Sequence, residues 1–337
     1  MIQLDASIII PTYNRSASLQ RTLESLTQQN MGELSFEVIV VDDGSTDGTS
    51  DVCRRTFSYP LKYHCQTNQG SAAARNAGAQ LASGRLLIFF DDDMLAEQEY
   101  VVGLLEEHGR YSRIIGMGRE LPFLPENAST YAEIVTTLPN SLDEQGGVID
   151  FTACVTNNLS IYRDDFFELG GMQDVAGDGP TWWGDVDFGY RAYLKGFQFH
   201  RSERAVCSHC DYSTADLVTS STRAEKVSYM VHHLIRKYPG IEQYLPMFAD
   251  KSPIDWHNDH IAMKFRKAIR LLTSTSLVVG GLEAAVRQLE RHYPKPALLA
   301  PLYRWTVGGY IYRGYRRGLE EVRGYSAPVA PAPAKNE

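Results

Sequence analysis

Three short apolar segments constrain the fold more than any other feature, because each of them breaks at a turn or at acidic residues. They are Ser7–Ile10, Val38–Val41 and Leu86–Phe90. Between them lie stretches with helical spacing of leucines and alanines. Apolar strands that alternate with helices form parallel βαβ units. The sequence therefore predicts an α/β domain with a mostly parallel sheet flanked by helices, whose ligands bind beyond the carboxyl ends of the strands.

Carboxylates follow two of these predicted strands. Asp42 and Asp43 come after the second, and Asp91, Asp92 and Asp93 come after the third. Clustered like charges beside a buried strand are costly unless a cation or a solvated cleft compensates them. Oxygen ligands favour Mg2+ or Mn2+, which commonly hold phosphate oxygens as well. The cluster therefore predicts a divalent-metal site for a diphosphate, with a solvated loop as the open alternative.

A series of short motifs extends this pattern along the chain. In order stand Pro11-Thr12-Tyr13-Asn14, Val41-Asp42-Asp43-Gly44-Ser45, Asn68-Gln69-Gly70, Ala74-Arg75-Asn76-Ala77-Gly78, Gly84, Phe90-Asp91-Asp92-Asp93, Thr156–Ser160, Phe166–Asp174 and Gly184–Arg191. This order resembles the family 2 glycosyltransferases over roughly residues 5 to 212. The resemblance implies a GT-A, Rossmann-like fold. It also implies an inverting enzyme that moves a sugar from a nucleoside diphosphate donor to an acceptor hydroxyl.

The resemblance assigns residues to the donor side of the site. The implied nucleotide-sugar-binding residues are Pro11, Thr12, Tyr13, Asp42, Asp43, Gly70, Arg75, Asp91 and Asp92. Asp42 would accept a hydrogen bond from the base and Asp91 would face the ribose, whereas the role of Asp92 stays open. Arg75 would lie near a helix N-terminus that faces the diphosphate, with an ordinary ion pair as its alternative.

Asp93 and His209 are the implied ligands of Mg2+ or Mn2+. His209 lies between Cys207 and Cys210, and this spacing raises the question of a zinc site. A structural zinc needs four ligands, and no second pair stands nearby, so buried cysteines are expected instead. A hydrogen-bonded histidine without a metal is the open alternative for His209.

Asp185 is the implied catalytic base. Inverting transfer needs a carboxylate that takes the proton of the acceptor hydroxyl on the face opposite the leaving diphosphate. Asp187 is expected to brace the following helix. Trp182 and Trp183 would stack on an acceptor sugar or pack in the core. Gly184 departs from the family pattern, which commonly has Glu there, and so leaves open a non-catalytic sugar-nucleotide-binding or scaffold protein.

The charge composition of the chain limits the classes of partner that it can bind. The chain has 33 Lys and Arg against 41 Asp and Glu, a formal net charge of −8, which argues against nucleic acid as a partner. A sugar-nucleotide nucleotidyltransferase would need a Gly-rich, basic loop after its first strand, and the segment from Pro11 to Asn14 is not such a loop. The expected acceptor is a glycan, a lipid-linked sugar or a small metabolite.

The expected organisation has three parts. Residues 1–212 form the catalytic domain, residues 213–326 form a helical extension that shapes the acceptor site or binds a partner, and residues 327–337 form a disordered tail rich in Ala and Pro. The sequence shows no targeting segment and has five cysteines, an odd number, which favours a cytoplasmic location.

Aromatic and basic residues alternate near the end of the helical extension. Arg313, Arg316 and Arg317 stand among several tyrosines there. This mixture predicts either a helix packed within the protein or a peripheral contact with the inner surface of the membrane.

Overall fold

The structure is a computed structural model that describes residues 4–121, 123–124, 127–136, 146–175, 182–210 and 215–324. The chain divides into two compact units, Met1–Asp216 and Leu217–Glu337. The predicted boundary after residue 212 falls among residues 211–214, which lie outside the described part, so it stays a prediction. The expected tail at residues 327–337 also lies outside the described residues.

One sheet runs through the first unit. Its strands are β1 (Leu4–Thr12), β2 (Phe36–Asp42), β3 (Leu61–Cys65), β4 (Gly84–Phe90), β5 (Met94–Ala96), β6 (Ile114–Leu121), β7 (Gly147–Ile149), β8 (Asn158–Tyr162) and β9 (Gln198–His209). Among the described residues the nine strands follow the order β3-β2-β1-β4-β8-β6-β9-β5, and β7 pairs with β9. The half built from β3, β2, β1 and β4 is parallel, as predicted. Beyond β4 the sheet is mixed, since β8 is antiparallel to both β4 and β6.

Helices alternate with these strands. They are α1 (Ser16–Leu26), α2 (Thr49–Cys53), α3 (Ser71–Leu81), α4 (Tyr100–Arg110), α5 (Thr130–Thr136), α6 (Arg163–Glu168) and α7 (Gly184–Leu194). Each of the first four strands is followed by a crossover or turn that begins at the same edge of the sheet, which is the geometry of parallel βαβ units.

The strand registers bring the polar strand ends together. Ile8, Val38 and Ile88 are neighbours across the sheet and are fully buried. The same register places Thr12, at the end of β1, opposite Asp42, at the end of β2. Because β1 also pairs with β4, Thr12 lies next to the end of β4. The register of these parallel strands therefore brings the acids together at one edge of the sheet.

The second unit is helical. It contains α8 (Leu217–Lys237), α9 (Ile261–Thr273), α10 (Ser276–His292) and α11 (Pro296–Gly324), with 3-10 turns at Ile241–Tyr244 and Pro246–Phe248. The chain turns between α9 and α10, where Thr275 Oγ1 accepts a hydrogen bond from the N–H of Val278 at 3.4 Å. Among the described residues no single helix could cross a membrane by length and composition, whereas α9 and α10 pass that test together as a pair bent by 72°.

The arginines of α11 are engaged within the second unit. Arg313 Nε donates to the carbonyl of Ser274 at 3.3 Å, and Arg317 pairs with Glu225 at 3.1 Å. Arg316 lies 3.7 Å from Glu320 on its own helix. These contacts match the packed-helix alternative for this segment.

Gly84 allows a close approach between β4 and β1. A Cβ there would lie 2.3 Å from the carbonyl carbon of Ala6 and 2.5 Å from the nitrogen of Ser7. We expect Gly84→Ala to lower the free energy of unfolding by about 1–3 kcal/mol, because strand backbone cannot move aside. Gly109→Ala is the control, since Gly109 lies in α4 with no atom within 4 Å of its Cβ position. The control should be neutral or stabilising in urea denaturation, and equal effects of the two substitutions would contradict this packing.

Candidate active site

The acidic segment after β4 is held by two neighbouring strands. The N–H of Asp91 donates to the carbonyl of Asn157 at 3.1 Å, next to β8. The chain then turns into β5, whose first residue, Met94, pairs with His209 on β9. The N–H of Cys210 donates to the carbonyl of Asp93 at 2.8 Å. The short strand β5 therefore brings His209 beside Asp93, although the two are far apart in sequence.

Each of the three carboxylates has a cationic or hydroxyl partner. Arg75 Nη2 lies 2.5 Å from Asp91 Oδ1. Arg15 bridges the other two acids, at 2.9 Å from Asp92 Oδ1 and 2.7 Å from Asp93 Oδ2. Thr12 Oγ1 donates to Asp92 Oδ2 at 2.7 Å. Two arginines thus compensate the charge at the end of β4, which explains how acids are tolerated there.

The buried acids differ in their pKa values. Burial raises the pKa of Asp92 to about 7 and outweighs the opposing effects of Arg15 and Thr12. Burial acts in the same direction on Asp93, but the hydrogen bond and charge of His209, together with Arg15, hold its pKa below the usual value. Of this pair, Asp93 is therefore the carboxylate that stays ionised near neutral pH.

Asp93 and His209 fit a divalent ion. Asp93 Oδ1 is buried and lies 3.3 Å from His209 Nε2. Adjacent ligands of an octahedral ion at 2.0–2.1 Å are separated by about 3 Å. Within the described part of the chain no three His, Cys, Asp or Glu side chains are arranged to hold a metal. Two protein ligands completed by phosphate and water are the usual setting of Mg2+.

Glu120 and Asn157 lie on the far side of the imidazole. Glu120 Oε2 is 3.9 Å from His209 Nδ1, and Asn157 Nδ2 is 3.4 Å from the same atom. Asn157 Nδ2 also donates to Glu120 Oε1 at 3.0 Å. A carboxylate behind a histidine orients the ring of a metal ligand. The neighbouring cysteines are buried, and Cys207 Sγ lies 3.7 Å from the carbonyl of Arg119.

Asp42 and Asp43 are buried and engaged in different ways. Asp42 accepts a hydrogen bond from the hydroxyl of Tyr63 at 2.6 Å and from the N–H of Ser45 at 2.7 Å. Asp43 accepts the N–H of Gly70 at 2.8 Å and thereby holds the loop that leads into α3. Asp43 thus has a clear role in shaping the loop, whereas base recognition by Asp42 stays a prediction.

The loop before α3 positions Arg75. Gly70 precedes the helix with φ of +87°, a left-handed conformation that favours glycine. Arg75 lies in the second turn of α3 and is buried, with its guanidinium directed at Asp91. The ion-pair alternative for Arg75 is therefore realised in this structure, at the same edge where its role toward a diphosphate is predicted.

Asp185 lies in a cleft that also contains Arg75. The cleft is lined by Ser71, Ala72, Arg75, Thr156, Met172, Gln173, Gly184 and Asp185. Thr156 Oγ1 donates to Asp185 Oδ1 at 2.7 Å. Desolvation raises the pKa of Asp185, against the opposing effects of the Arg75 charge and the Thr156 hydrogen bond. A carboxylate with a raised pKa is a stronger proton acceptor once it is ionised.

Asp187 has a structural position, as the sequence predicted. It is fully buried and pairs with Arg191 at 2.9 Å on the same helix, α7. Arg191 in turn donates to the carbonyls of Leu169, at 2.5 Å, and Gly171, at 2.8 Å. Asn76 holds the same loop through two hydrogen bonds of 2.9 Å to the backbone of Met172. These residues fix α7, and with it Asp185.

The two tryptophans before α7 are half-buried. Trp183 has φ of +81°, which is unusual for a bulky residue, and its carbonyl accepts the N–H of Asp187 at 2.9 Å. On the donor side, Tyr13 is exposed and Pro11 is buried in β1. Stacking of Trp182 or Trp183 on an acceptor and contact of Tyr13 and Pro11 with a nucleotide stay predictions.

Comparison with known proteins identifies the family. Residues 7–167 match the family described as Glycosyl transferase family 2. The first unit belongs to this family.

Relatives of this chain include a validoxylamine A glucosyltransferase of Streptomyces hygroscopicus subsp. limoneus. It is 34% identical over 223 residues, which cover 56% of this chain and 48% of the relative. Glycosyltransferase AglE of Haloferax volcanii is 29% identical over 238 residues, covering 68% of this chain and 75% of the relative. The chain spans about half the length of the validoxylamine A glucosyltransferases that it matches.

Two solved structures show the same fold. The mannosyltransferase PcManGT from Pyrobaculum calidifontis has a TM-score of 0.62 and 18% identity, covering 95% of this chain and 88% of that chain. Residues 1–349 of S. aureus TarS, in complex with UDP-GlcNAc, give a TM-score of 0.52 and 17% identity, covering 94% of this chain and 92% of that chain. The predicted GT-A fold class is confirmed.

Sequence reasoning missed Arg15, Glu120 and the contact of Thr156 with Asp185. The signal for Arg15 was available, because it follows the Pro11–Asn14 motif and the acidic cluster requires a cation. Asn14 has φ of +52°, and its side-chain oxygen accepts the N–H of Thr46 at 2.7 Å. This turn brings Arg15 to the edge of the sheet where β4 ends. Glu120 carried no sequence signal, because it reaches His209 only through strand pairing.

The contacts of Arg15 lead to a test with the metal alone. Arg15→Gln removes a positive charge that lies within 3 Å of both Asp92 and Asp93. We expect Mn2+ binding without nucleotide to tighten about tenfold, because the arginine and the metal compete for the same carboxylates. Calorimetric titration measures this. Arg54→Gln is the control, since Arg54 is exposed and pairs with the exposed Asp51. Unchanged or weaker Mn2+ binding in Arg15→Gln would remove Arg15 from the metal site.

Proposed function

We propose that the protein is an inverting, metal-dependent glycosyltransferase that uses a nucleoside diphosphate sugar and transfers the sugar to an acceptor hydroxyl. The observation that carries the proposal is the arrangement of carboxylates around Arg75. Asp91 pairs with Arg75 on one side, and Asp185 lines the same cleft. The acids at the end of β4 would therefore hold the metal and the arginines that bind the diphosphate. Asp185 is a separate acid that is available as a base.

The donor side has the charges that a diphosphate needs. Arg15 and Arg75 present guanidinium groups at the end of β4, and the N-terminal turn of α3 lies beside Arg75. Guanidinium groups and helix N-termini both bind phosphate oxygens. Asp93 and His209 would hold Mg2+ or Mn2+, which when bound supplies positive charge to the diphosphate as it departs. PcManGT is in complex with GDP-Man and Mn2+, which supports this assignment.

Asp185 would take the proton of the acceptor hydroxyl. As the acceptor oxygen forms its bond to the anomeric carbon, the bond from that carbon to the diphosphate oxygen breaks and the nucleoside diphosphate leaves. Asp185 Oδ1 is held by Thr156, so Oδ2 is the oxygen placed to receive the proton. Attack opposite the leaving group inverts the anomeric centre. Trp182 and Trp183 would bind the acceptor, which is a glycan, a lipid-linked sugar or a small metabolite.

Donor binding is expected to require a divalent metal. We expect nucleoside diphosphates to raise the melting temperature with Mn2+ and to have little effect with EDTA, because bare carboxylates and diphosphate repel each other. A panel of nucleoside diphosphates and their sugars identifies the base and the sugar. Asp93→Ala should abolish the Mn2+-dependent shift, whereas Asp51→Ala, an exposed site on α2, should retain it. An equal shift with and without metal would remove the metal from the mechanism.

The two acids of α7 are expected to have separate roles. Asp185→Asn should keep donor affinity and lose about 10²-fold to 10⁴-fold in the rate of sugar transfer, including transfer to water. Asp187→Asn should instead lower the free energy of unfolding by on the order of 3 kcal/mol, because it leaves the charge of Arg191 unpaired.

Rate assays and denaturation of both variants distinguish the two roles. The roles of the two acids would be reversed if Asp185→Asn transferred sugar at nearly the rate of the parent while a stably folded Asp187→Asn lost sugar transfer. Firm donor binding with no turnover of any donor by the parent protein would favour a non-catalytic binding protein.

A further inference from the structure

The helix α9 has its polarity reversed relative to an ordinary surface helix. Ile261, Phe265, Ile269 and Leu272 recur every three or four residues and form one stripe, which points to solvent. Ile261 is 84% exposed, Phe265 is 70% exposed and Leu272 is 68% exposed. A helix of a soluble protein normally turns such a stripe toward its core. These four residues form the apolar stripe of α9.

The charged side of α9 faces inward. Lys267 is only 6% exposed, and its Nζ lies 2.6 Å from Asp259 Oδ2 and 3.0 Å from the carbonyl of Pro253. Arg270 Nη2 lies 3.3 Å from Asp250 Oδ2. These ion pairs attach α9 to its own unit through its polar side. The exposure of the apolar stripe is therefore built into the packing of the helix.

The surroundings of the apolar stripe are basic. Between His260 and Leu282 the sequence contains no Asp or Glu. Lys267 and Arg270 face inward and pair with Asp259 and Asp250, so the basic residues beside the stripe are Lys264 and Arg266. Lys264 and Arg266 lie on the two edges of the stripe by helical spacing. Trp256, which is 71% exposed, is held beside the helix by a 2.7 Å hydrogen bond from Lys264 Nζ to its carbonyl. Leu277, at the start of α10, is also exposed.

We propose that the apolar stripe of α9 binds the surface of a lipid bilayer that contains anionic lipids. An apolar face bordered by Lys and Arg, with a tryptophan at its end, is the composition of helices that lie in the bilayer interface. The stripe enters the headgroup region while Lys264 and Arg266 contact anionic headgroups. This surface lies on α9, and the arginines of α11, which are engaged in other contacts, do not form it.

Vesicle binding by the full chain tests the proposal and requires no sugar transfer. We expect the parent protein to sediment with phosphatidylcholine vesicles that contain phosphatidylglycerol, and to bind less with phosphatidylcholine alone or at high salt. The double variant Phe265→Ser, Leu272→Ser should bind at least about tenfold more weakly with no loss of melting temperature, because it removes exposed apolar surface. Arg266→Gln should weaken binding only to the anionic vesicles.

Leu194→Ser is the matched control, because Leu194 is an apolar residue of α7 with 61% exposure. It should bind vesicles as the parent does. A parent protein that ignores anionic vesicles, or binding that the double variant retains, would overturn the proposal. Sedimentation velocity tests whether a second copy of the chain covers the apolar stripe instead. Self-association of the parent that is lost in the double variant, without vesicle binding, would assign the stripe to a second copy of the chain.

Discussion

Compensation of charge at the end of β4 is the interaction on which the site depends. The apolar strand can end in three acids because Arg75 pairs with Asp91 while Arg15 bridges Asp92 and Asp93. The two arginines come from α3 and from the start of α1, so the same ion pairs join the first helices to the sheet edge. They also keep cationic groups where a diphosphate and a metal would bind. In the proposed mechanism, structural charge balance and ligand binding would use the same atoms.

The parallel half of the sheet was predictable because its signals are local. Ser7–Ile10, Val38–Val41 and Leu86–Phe90 are apolar runs that end in turns, and burial on both faces makes such runs easy to recognise. The strands extend a few residues beyond these limits, as Leu4–Thr12 and Phe36–Asp42 show. Strand pairing brings Asp42 and Asp91 to one edge, and it follows from the right-handed βαβ connection. The placement of Asp187 as a brace was predictable from its position in the first turn of α7.

The rest of the site depends on contacts that no local pattern encodes. Glu120 reaches His209 only because β6 and β9 pair in parallel after a register shift. The arginines of α11 were ambiguous in sequence, since packed and membrane-facing helices share that composition, and their partners Ser274 and Glu225 lie on other segments. Pro301 lies inside α11, although proline usually begins or ends a helix. The reversed polarity of α9 is visible only in the structure, from the exposure of its apolar stripe and the burial of Lys267, because a periodic stripe in sequence does not reveal which side faces the core.

We propose that Asp93 and His209 hold a divalent ion that binds the donor diphosphate, and the rest of the mechanism depends on this ion. A crystal structure with Mn2+ and the nucleoside diphosphate selected by thermal shift, with anomalous data recorded for manganese, tests it most directly. We expect an anomalous peak within coordination distance of Asp93 Oδ1, His209 Nε2 and two phosphate oxygens, with Arg15 displaced from Asp93. A nucleotide bound at the strand ends with no anomalous peak, and with Arg15 still bridging Asp92 and Asp93, would contradict it.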